Sequence, residues 1–208
     1  MGTTIIANNC IGAAIYQDMC HRYESPTINL QIMPWEFPIF CRYLWHFLHE
    51  DLKEVEISRL TLQQQNMLIR NYMRIPPIPY GEVDGILICF EHYEDFSTAK
   101  WAWDKRKERV DYKHVGNLFY VNSIARKALA EYFVREYSDV PNPVVLTQGF
   151  EIEGGQVETH RVDVPRGKLF LDCEDRKRIY SKNFNVNQWW GRILTGNSEV
   201  KGIFDRIE

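Results

Sequence analysis

The chain has little of what usually places a protein at a glance. Its five cysteines, Cys10, Cys20, Cys41, Cys89 and Cys173, are odd in number, scattered, and nowhere spaced as a CxxC pair. That excludes the common zinc-ribbon and dithiol-redox patterns and predicts small buried hydrophobes rather than disulfides. Positive charge is not in excess: 25 Lys and Arg stand against 28 Asp and Glu, a net charge of -3. No overall basic field draws such a chain to a nucleic-acid backbone, so nucleic acid is not an expected partner. Long apolar runs are missing too. "GILICF" and "FPIFCRYLWHFL" are short or interrupted by charge, well below the roughly 20 residues that span a bilayer, and no transmembrane segment is expected. The first residues lack the basic stretch and apolar core of a secretion signal, which predicts a cytoplasmic protein. Tandem repeats and low-complexity tracts are absent.

What is present is an ordinary globular composition, 45% hydrophobic and 25% charged over 208 residues, enough for one well-buried core. Thr3–Ala7 reads as a buried strand, and Gly12–Tyr23 as a helix with Ala13, Tyr16, Met19, Cys20 and Tyr23 at helical spacing. "SPTINLQIM" is extended. "PWEFPIFCRYLWHFLHED" is helical, with Phe37, Phe40, Cys41, Leu44, Phe47 and Leu48 on one face. Residues 53–82 stay loosely assigned, because Pro76, Pro77 and Pro79 exclude a regular helix in "RIPPIPYGEVDG".

"GILICFEHY" is the clearest strand, opening on a continuous apolar run with β-branched content, and is expected at the centre of the sheet. "DFSTAKWAWDKRKERV" follows as a helix capped by Asp95 or Ser97. "NLFYVNS" and "PVVLTQ" are further strands around a helix, "IARKALAEYFVREY", with Ile124, Ala128, Tyr132 and Val134 as its apolar stripe. The alternation predicts a three-layer α/β fold over residues 1–150, a mainly parallel sheet flanked by helices. Residues 151–208 read as a small β-rich extension packed on the same domain.

Several stretches together carry a family resemblance: "NNCIGAAIYQDM", "YESPTINLQIMPWEFPIF", "PYGEVDGILICFEHYEDFSTAKWAWDKRKERV" and "NLFYVNS". They resemble the bacterial family catalogued as domain of unknown function 1919. The motifs fall on Asn8, Cys10 and Gly12, on Ser25 to Thr27, on Pro79 to Gly81, on His92 and Tyr93, and on Trp103, Arg106 and Arg109. The resemblance spans roughly residues 5 to 150. It implies a role in capsule or exopolysaccharide biosynthesis, among polysaccharide-assembly proteins, without naming a reaction.

In parallel α/β sheets, ligands sit outside the carboxyl ends of the strands. The strand ending at Ala7 delivers Asn8, Asn9 and Cys10; that ending near Glu91 delivers His92 and Tyr93; later strands deliver Asn122, Ser123 and Gln148. Asn8 or Asn9 would cap the following helix, and Gly12 would let its N–H groups approach an anionic ligand, although such residues also serve strand-to-helix turns without any ligand. Cys10 at a helix N-terminus would favour its thiolate, with His92 as activating partner or as general base.

Arg106 and Arg109 would grip an anion on a nucleotide sugar or acidic glycan; the alternative is a solvated charged face in which Lys100, Asp104, Lys105, Lys107 and Glu108 pair locally. Tyr93, Trp189 and Trp190 are candidates for stacking on sugar rings, or for the core. No Asp-x-Asp, His-rich or paired-carboxylate pattern specifies a metal, a cofactor or a glycosidase. The leading expectation is a transferase acting on a glycan or nucleotide-activated sugar, built on Asn8, Asn9, His92, Tyr93, Arg106 and Arg109. The rivals are a non-catalytic glycan-binding or assembly protein and a cysteine-dependent hydrolase using Cys10.

Overall fold

The computed structural model describes residues 2–123 and 126–196. Strand β1, Thr4–Ala7, is buried at every position and turns through Asn8, Asn9 and Cys10 into helix α1, Ile11–Asp18. The helix is shorter than the expected course to Tyr23, because the chain reverses where Cys20 takes a left-handed φ of 50°. That reversal lays residues 24–27 along the free edge of β1, where Glu24 and Thr27 side chains accept from the Thr3 and Ala7 N–H groups at 2.8 and 3.1 Å. An exposed strand edge is thereby covered.

Strand β2, Gln31–Ile32, leads to helices α2, Phe37–Arg42, and α3, Leu44–His49. The single helix expected here is broken at Tyr43, whose φ of -107° and ψ of 35° leave the helical region. Its six predicted apolar positions, Phe37 through Leu48, are nonetheless all buried. The loosely assigned region resolves into strand β3, Lys53–Glu54, helix α4, Leu62–Tyr72, and strand β4, Tyr80–Val83. A reciprocal cap between Thr61 and Gln64 starts α4, satisfying two helix-end donors at once.

Strand β5, Ile86–Cys89, returns from β4 through Asp84 and Gly85, with φ of 42° and 82°. This is the two-residue turn that an Asp-Gly pair favours. Helix α5, Phe96–Lys107, is capped by Asp95, which accepts from Thr98 N–H at 2.7 Å. Then come strand β6, Val115–Val121, helix α6, Lys127–Glu136, and strand β7, Pro143–Gln148. Strands β8, Glu158–Val162, β9, Cys173–Glu174, and β10, Lys177–Arg178, precede helix α7, Val186–Leu194. On α6 the buried stripe is Ala130, Phe133 and the following Tyr137, whereas Ala128 and Tyr132 are exposed; Ile124 lies outside the described residues. Phe133 sets this rotation by packing on Phe119 of β6, with ring centroids 5.1 Å apart.

The principal sheet is parallel, in the order β1-β6-β7-β8. Both its faces are covered, and side chains alternate between them. Ile5, Ala7, Leu118, Tyr120, Val144 and Leu146 enter one core with α1 and the Trp189 and Ile193 side chains of α7. Ile6, Phe119, Val121 and Val145 enter the other with Phe37, Phe40, Trp103 and Phe133. The fold is α/β, with the parallel sheet flanked by helices. The segment after Gly149 supplies β8 to this sheet, a short β9–β10 hairpin and, through α7, part of the first core.

β5, expected at the centre of the parallel sheet, lies instead inside a second sheet. That sheet is antiparallel, in the order β2-β5-β4-β3. A continuous apolar strand requires only that both faces be covered. Here Ile86 and Ile88 face the large core, and Leu87 and Cys89 face Met67 and Leu68 of α4. The two sheets meet where Ile32 of β2 donates its N–H to Asn8 O at 3.0 Å. This bond sets the end of β5 against the end of β1.

Candidate functional site

At that junction the chain crosses from strand to helix, and its two asparagines have separate duties. Asn8 is 2% exposed. Its amide donates to Tyr120 O at 3.0 Å and accepts from Tyr120 N–H at 2.8 Å, extending the β1–β6 ladder by one residue with a side chain. Both of these bonds go to backbone. Asn9 does the turn work, accepting from Ile11 N–H at 3.0 Å. Gly12, expected to admit a ligand, is buried against β1: a Cβ there would lie 3.2 Å from Ala7 Cβ and 3.6 Å from Ile5 Cγ2. Its smallness serves helix–strand packing.

Cys10 and His92 do come together, with a third residue that sequence reasoning passed over. Cys10, Glu91 and His92 present a sulfur, a carboxylate oxygen and a ring nitrogen within 4.8 Å of one another. The Cys10 thiol donates to Glu91 Oε2 at 3.3 Å. Glu91 Oε1 accepts from the Tyr72 hydroxyl at 2.5 Å, and that hydroxyl lies 3.1 Å from Gln31 Oε1. The expectation of a thiolate favoured by the helix dipole is reversed. Burial and, next, the adjacent Glu91 carboxylate push the Cys10 thiol well above its usual range, because both disfavour a second negative charge. Burial, reinforced by Glu91, raises the Tyr72 phenol in the same way. His92 is exposed and makes no hydrogen bond among the described residues.

Cys10, Gln31, Glu91 and His92 line a cavity of about 400 Å³, together with Asn8 and Asn9. It opens at the carboxyl ends of β1, β6 and β7, where the parallel-sheet rule places ligands. Its wall also carries Asn122, Arg126, Gln148, Lys168 and Phe170. Tyr120 donates to Gln148 Oε1 at 2.6 Å and stacks on Phe170 with centroids 4.2 Å apart. Arg126 donates to Asn122 Oδ1 at 3.0 Å and Asn71 Oδ1 at 2.9 Å. Both partners are neutral amides. Among the described residues its charge meets no carboxylate, and partial burial pulls its pKa down.

Tyr93, Arg106 and Arg109 are not among the cavity's lining residues. Arg106 donates to the Tyr93 hydroxyl at 2.5 Å and to Ile28 O at 3.4 Å, and its guanidinium sits 5.5 Å from the Tyr23 ring centroid. Arg109 donates to Tyr23 O at 3.1 Å. Both arginines therefore fasten α5 to the segment that edges β1, beside a separate depression of about 160 Å³. Three-residue spacing put them on one face, and the acceptors they meet there belong to the protein. Trp189 and Trp190 are buried at 0% and 6% exposure; Trp189 donates to Asn142 O at 3.0 Å, and Trp190 meets Tyr16 edge-on at 5.9 Å. The aromatic face in the cavity is supplied by Tyr120 and Phe170.

Glu91 and Gln148 carried a usable signal, since each ends or follows an apolar strand at the sheet's carboxyl edge. Arg126 and Lys168 carried none, lying in segments whose course depends on tertiary packing. Among the described residues, no helix is long and apolar enough to cross a membrane.

The chain is 25% identical over 199 residues to an uncharacterized protein of Haemophilus influenzae, an alignment covering 88% of this chain and 84% of that protein. Residues 1–151, which hold both sheets up to β7, α1 through α6 and the Cys10–Glu91–His92 group, match one family model. On that match the chain belongs to the family described as domain of unknown function DUF1919.

Proposed function

We propose that the protein is a cytoplasmic group-transfer enzyme acting on an acidic glycan or a nucleotide-activated sugar, in the assembly of capsule or exopolysaccharide. The observation that carries this reading is the make-up of the cavity. It combines planar amides at Gln31, Asn122 and Gln148, the cations Arg126 and Lys168, and the stacked Tyr120 and Phe170 rings. Amides bond hydroxyl groups, arginine is suited to phosphate and carboxylate, and aromatic faces take the apolar face of a sugar ring. A volume of about 400 Å³ suits a ligand the size of one or two sugar units. Cys10, Glu91 and His92 belong to the same lining and bring their polar atoms together, which supports placing the reacting atoms of such a ligand beside them.

Fold alone does not select a reaction; the support lies in the chemistry of the lining. The test is a thermal-shift and calorimetric screen of nucleotide sugars, free nucleotides and acidic oligosaccharides, repeated with Arg126→Ala. A nucleotide-sugar response lost in Arg126→Ala supports the reading and directs a transfer assay. Binding of oligosaccharide without nucleotide or turnover replaces it with a glycan-binding or assembly protein. A ligand response unaffected by Arg126→Ala overturns the assignment of the cavity.

A further inference from the structure

Cys10, Glu91 and His92 are, among the described residues, the one group of three potential metal-ligating side chains whose donor atoms converge. Their types are mixed: a thiol sulfur, a carboxylate oxygen and an imidazole nitrogen. That set matches zinc, which accepts all three, better than magnesium or calcium, which require oxygen ligands throughout.

The Cys10–Glu91 separation agrees. A sulfur at about 2.3 Å and an oxygen at about 2.0 Å from a tetrahedral centre stand about 3.5 Å apart, and Cys10 Sγ and Glu91 Oε2 are separated by 3.3 Å. The other oxygen of Glu91 is held by Tyr72, itself beside Gln31, the kind of outer support that orients a ligating carboxylate. The His92 ring, without a hydrogen bond among the described residues, has its nitrogens open.

We propose that Cys10, Glu91 and His92 bind one Zn2+ at the junction of the two sheets, with the fourth position open to the cavity. Binding converts Cys10 from thiol to thiolate and releases that proton to solvent. The repulsion between sulfur and carboxylate then becomes shared ligation. His92 is a ligand in this arrangement, not a proton carrier. Three protein ligands with one open position is the pattern of catalytic rather than structural zinc, and such an ion activates water or polarises an oxygen of a bound molecule. The site lies in the cavity assigned above to a sugar ligand, yet Zn2+ binding does not depend on that assignment.

The experiment uses the full chain carrying Cys20→Ser and Cys173→Ser, which removes the two exposed thiols. Chelator-treated protein is titrated with Zn2+ against a chromophoric competitor, and in parallel with Co2+ under absorption spectroscopy. We expect one equivalent of either ion and a thiolate-to-cobalt charge-transfer band that disappears in Cys10→Ser. Zn2+ affinity falls about tenfold or more in Glu91→Gln and His92→Ala, and to a smaller extent in Tyr72→Phe, with circular dichroism unchanged.

Failure of the folded protein to take up stoichiometric Zn2+, or a cobalt spectrum indifferent to Cys10→Ser, overturns the proposal. Should Cys10→Ser fail to fold, alkylation of the parent protein decides: Zn2+ protects Cys10 from iodoacetamide if the site exists, and absence of protection rejects it. Oligosaccharide or nucleotide-sugar binding that survives a negative zinc titration removes the metal and leaves the sugar reading standing. A positive titration without any sugar response does the reverse.

Discussion

Cys10 and Glu91, 81 residues apart in the chain, meet through a thiol-to-carboxylate hydrogen bond of 3.3 Å. The contact joins the turn after the first parallel strand to the end of an antiparallel strand in a different sheet. It also adds to the burial that holds the Cys10 thiol up, because the carboxylate stands where a cation would be needed to draw out a thiolate.

The first prediction follows from that pairing. In metal-free protein at neutral pH, Cys10 reacts with iodoacetamide more slowly than Cys20, which is exposed. Glu91→Gln removes the adjacent charge and speeds the Cys10 reaction, while burial keeps it slower than Cys20. Peptide mass spectrometry over a time course measures both rates. A Cys10 that outpaces Cys20 in the unsubstituted protein would restore the hydrolase reading.

Asn8 provides a second. Its side chain satisfies both the N–H and the C=O of Tyr120 in a buried setting, and removing it strands two backbone groups. Asn8→Ala is expected to cost about 2–6 kcal/mol, each unsatisfied buried group accounting for about 1–3, as read by urea unfolding. Asn8→Asp keeps the acceptor but loses the donor and adds a buried charge, so it is also destabilising. A loss confined to ligand binding, with stability intact, contradicts this role.

How much of this was legible from residues alone depends on the range of the interaction. β1, β6 and β7 are apolar runs whose burial is local information, and the six buried positions of α2 and α3 follow helical spacing even across the break at Tyr43. The Asp84–Gly85 hairpin was also readable, since an Asp-Gly pair between apolar strands marks a two-residue turn. Left unread, it sent β5 to the wrong sheet. Arg106 and Arg109 show the opposite limit. Their spacing put them on one face, but that face meets Tyr23, Ile28 and Tyr93, and only the course of residues 20–30 decides it. Cys10, His92 and Asn9 were found because strand ends are local. Arg126 was not, because one of the partners that aim it, Asn71, lies 55 residues away in the chain.

Arg106 and Arg126 accordingly separate in a third prediction. Arg106→Ala loses its bonds to Tyr93 and Ile28 and lowers stability by about 1–2 kcal/mol, leaving ligand binding in place. Arg126→Ala weakens binding of an anionic ligand about tenfold or more, in line with the loss of one charge-assisted contact. Parallel calorimetry and urea unfolding on the two variants test the division. Equal loss of binding in both would return Arg106 to the site.

Gly116 gives a fourth. It lies on β6 beneath α7, where a Cβ would approach Ile193 Cδ1 to 2.4 Å and Trp189 Cζ2 to 2.6 Å. Ile193 is fully buried, and the indole is fixed by its bond to Asn142 O. Gly116→Ala is expected to destabilise by about 1–3 kcal/mol, the usual range for overpacking. Gly191→Ala, on the same helix with nothing within 4 Å of the added carbon, is the neutral or stabilising control. Both are read by urea unfolding, and equal effects would show that α7 is loosely docked.

The last prediction concerns Glu36, just before α2. Burial pushes its carboxyl up to about 8; the Leu87 backbone bond opposes the rise and the Glu82 charge adds to it. Among the described residues one of its oxygens, Oε2, has no hydrogen-bond partner. The unfolded chain releases this proton near the ordinary carboxyl value, about 4.3. Between that value and about 8 the folded state holds more protons than the unfolded one, so this group makes stability fall as pH rises. The loss is complete above the folded value. Each tenfold difference in proton affinity between the two states corresponds to about 1.4 kcal/mol, which makes the total a few kcal/mol. Glu36→Gln removes the titration, so its stability gain over the parent should be smallest at pH 4.5 and largest at pH 8.5. Urea unfolding of both proteins across that range measures the difference; a constant offset would mean that the Glu36 carboxylate is hydrated in the fold.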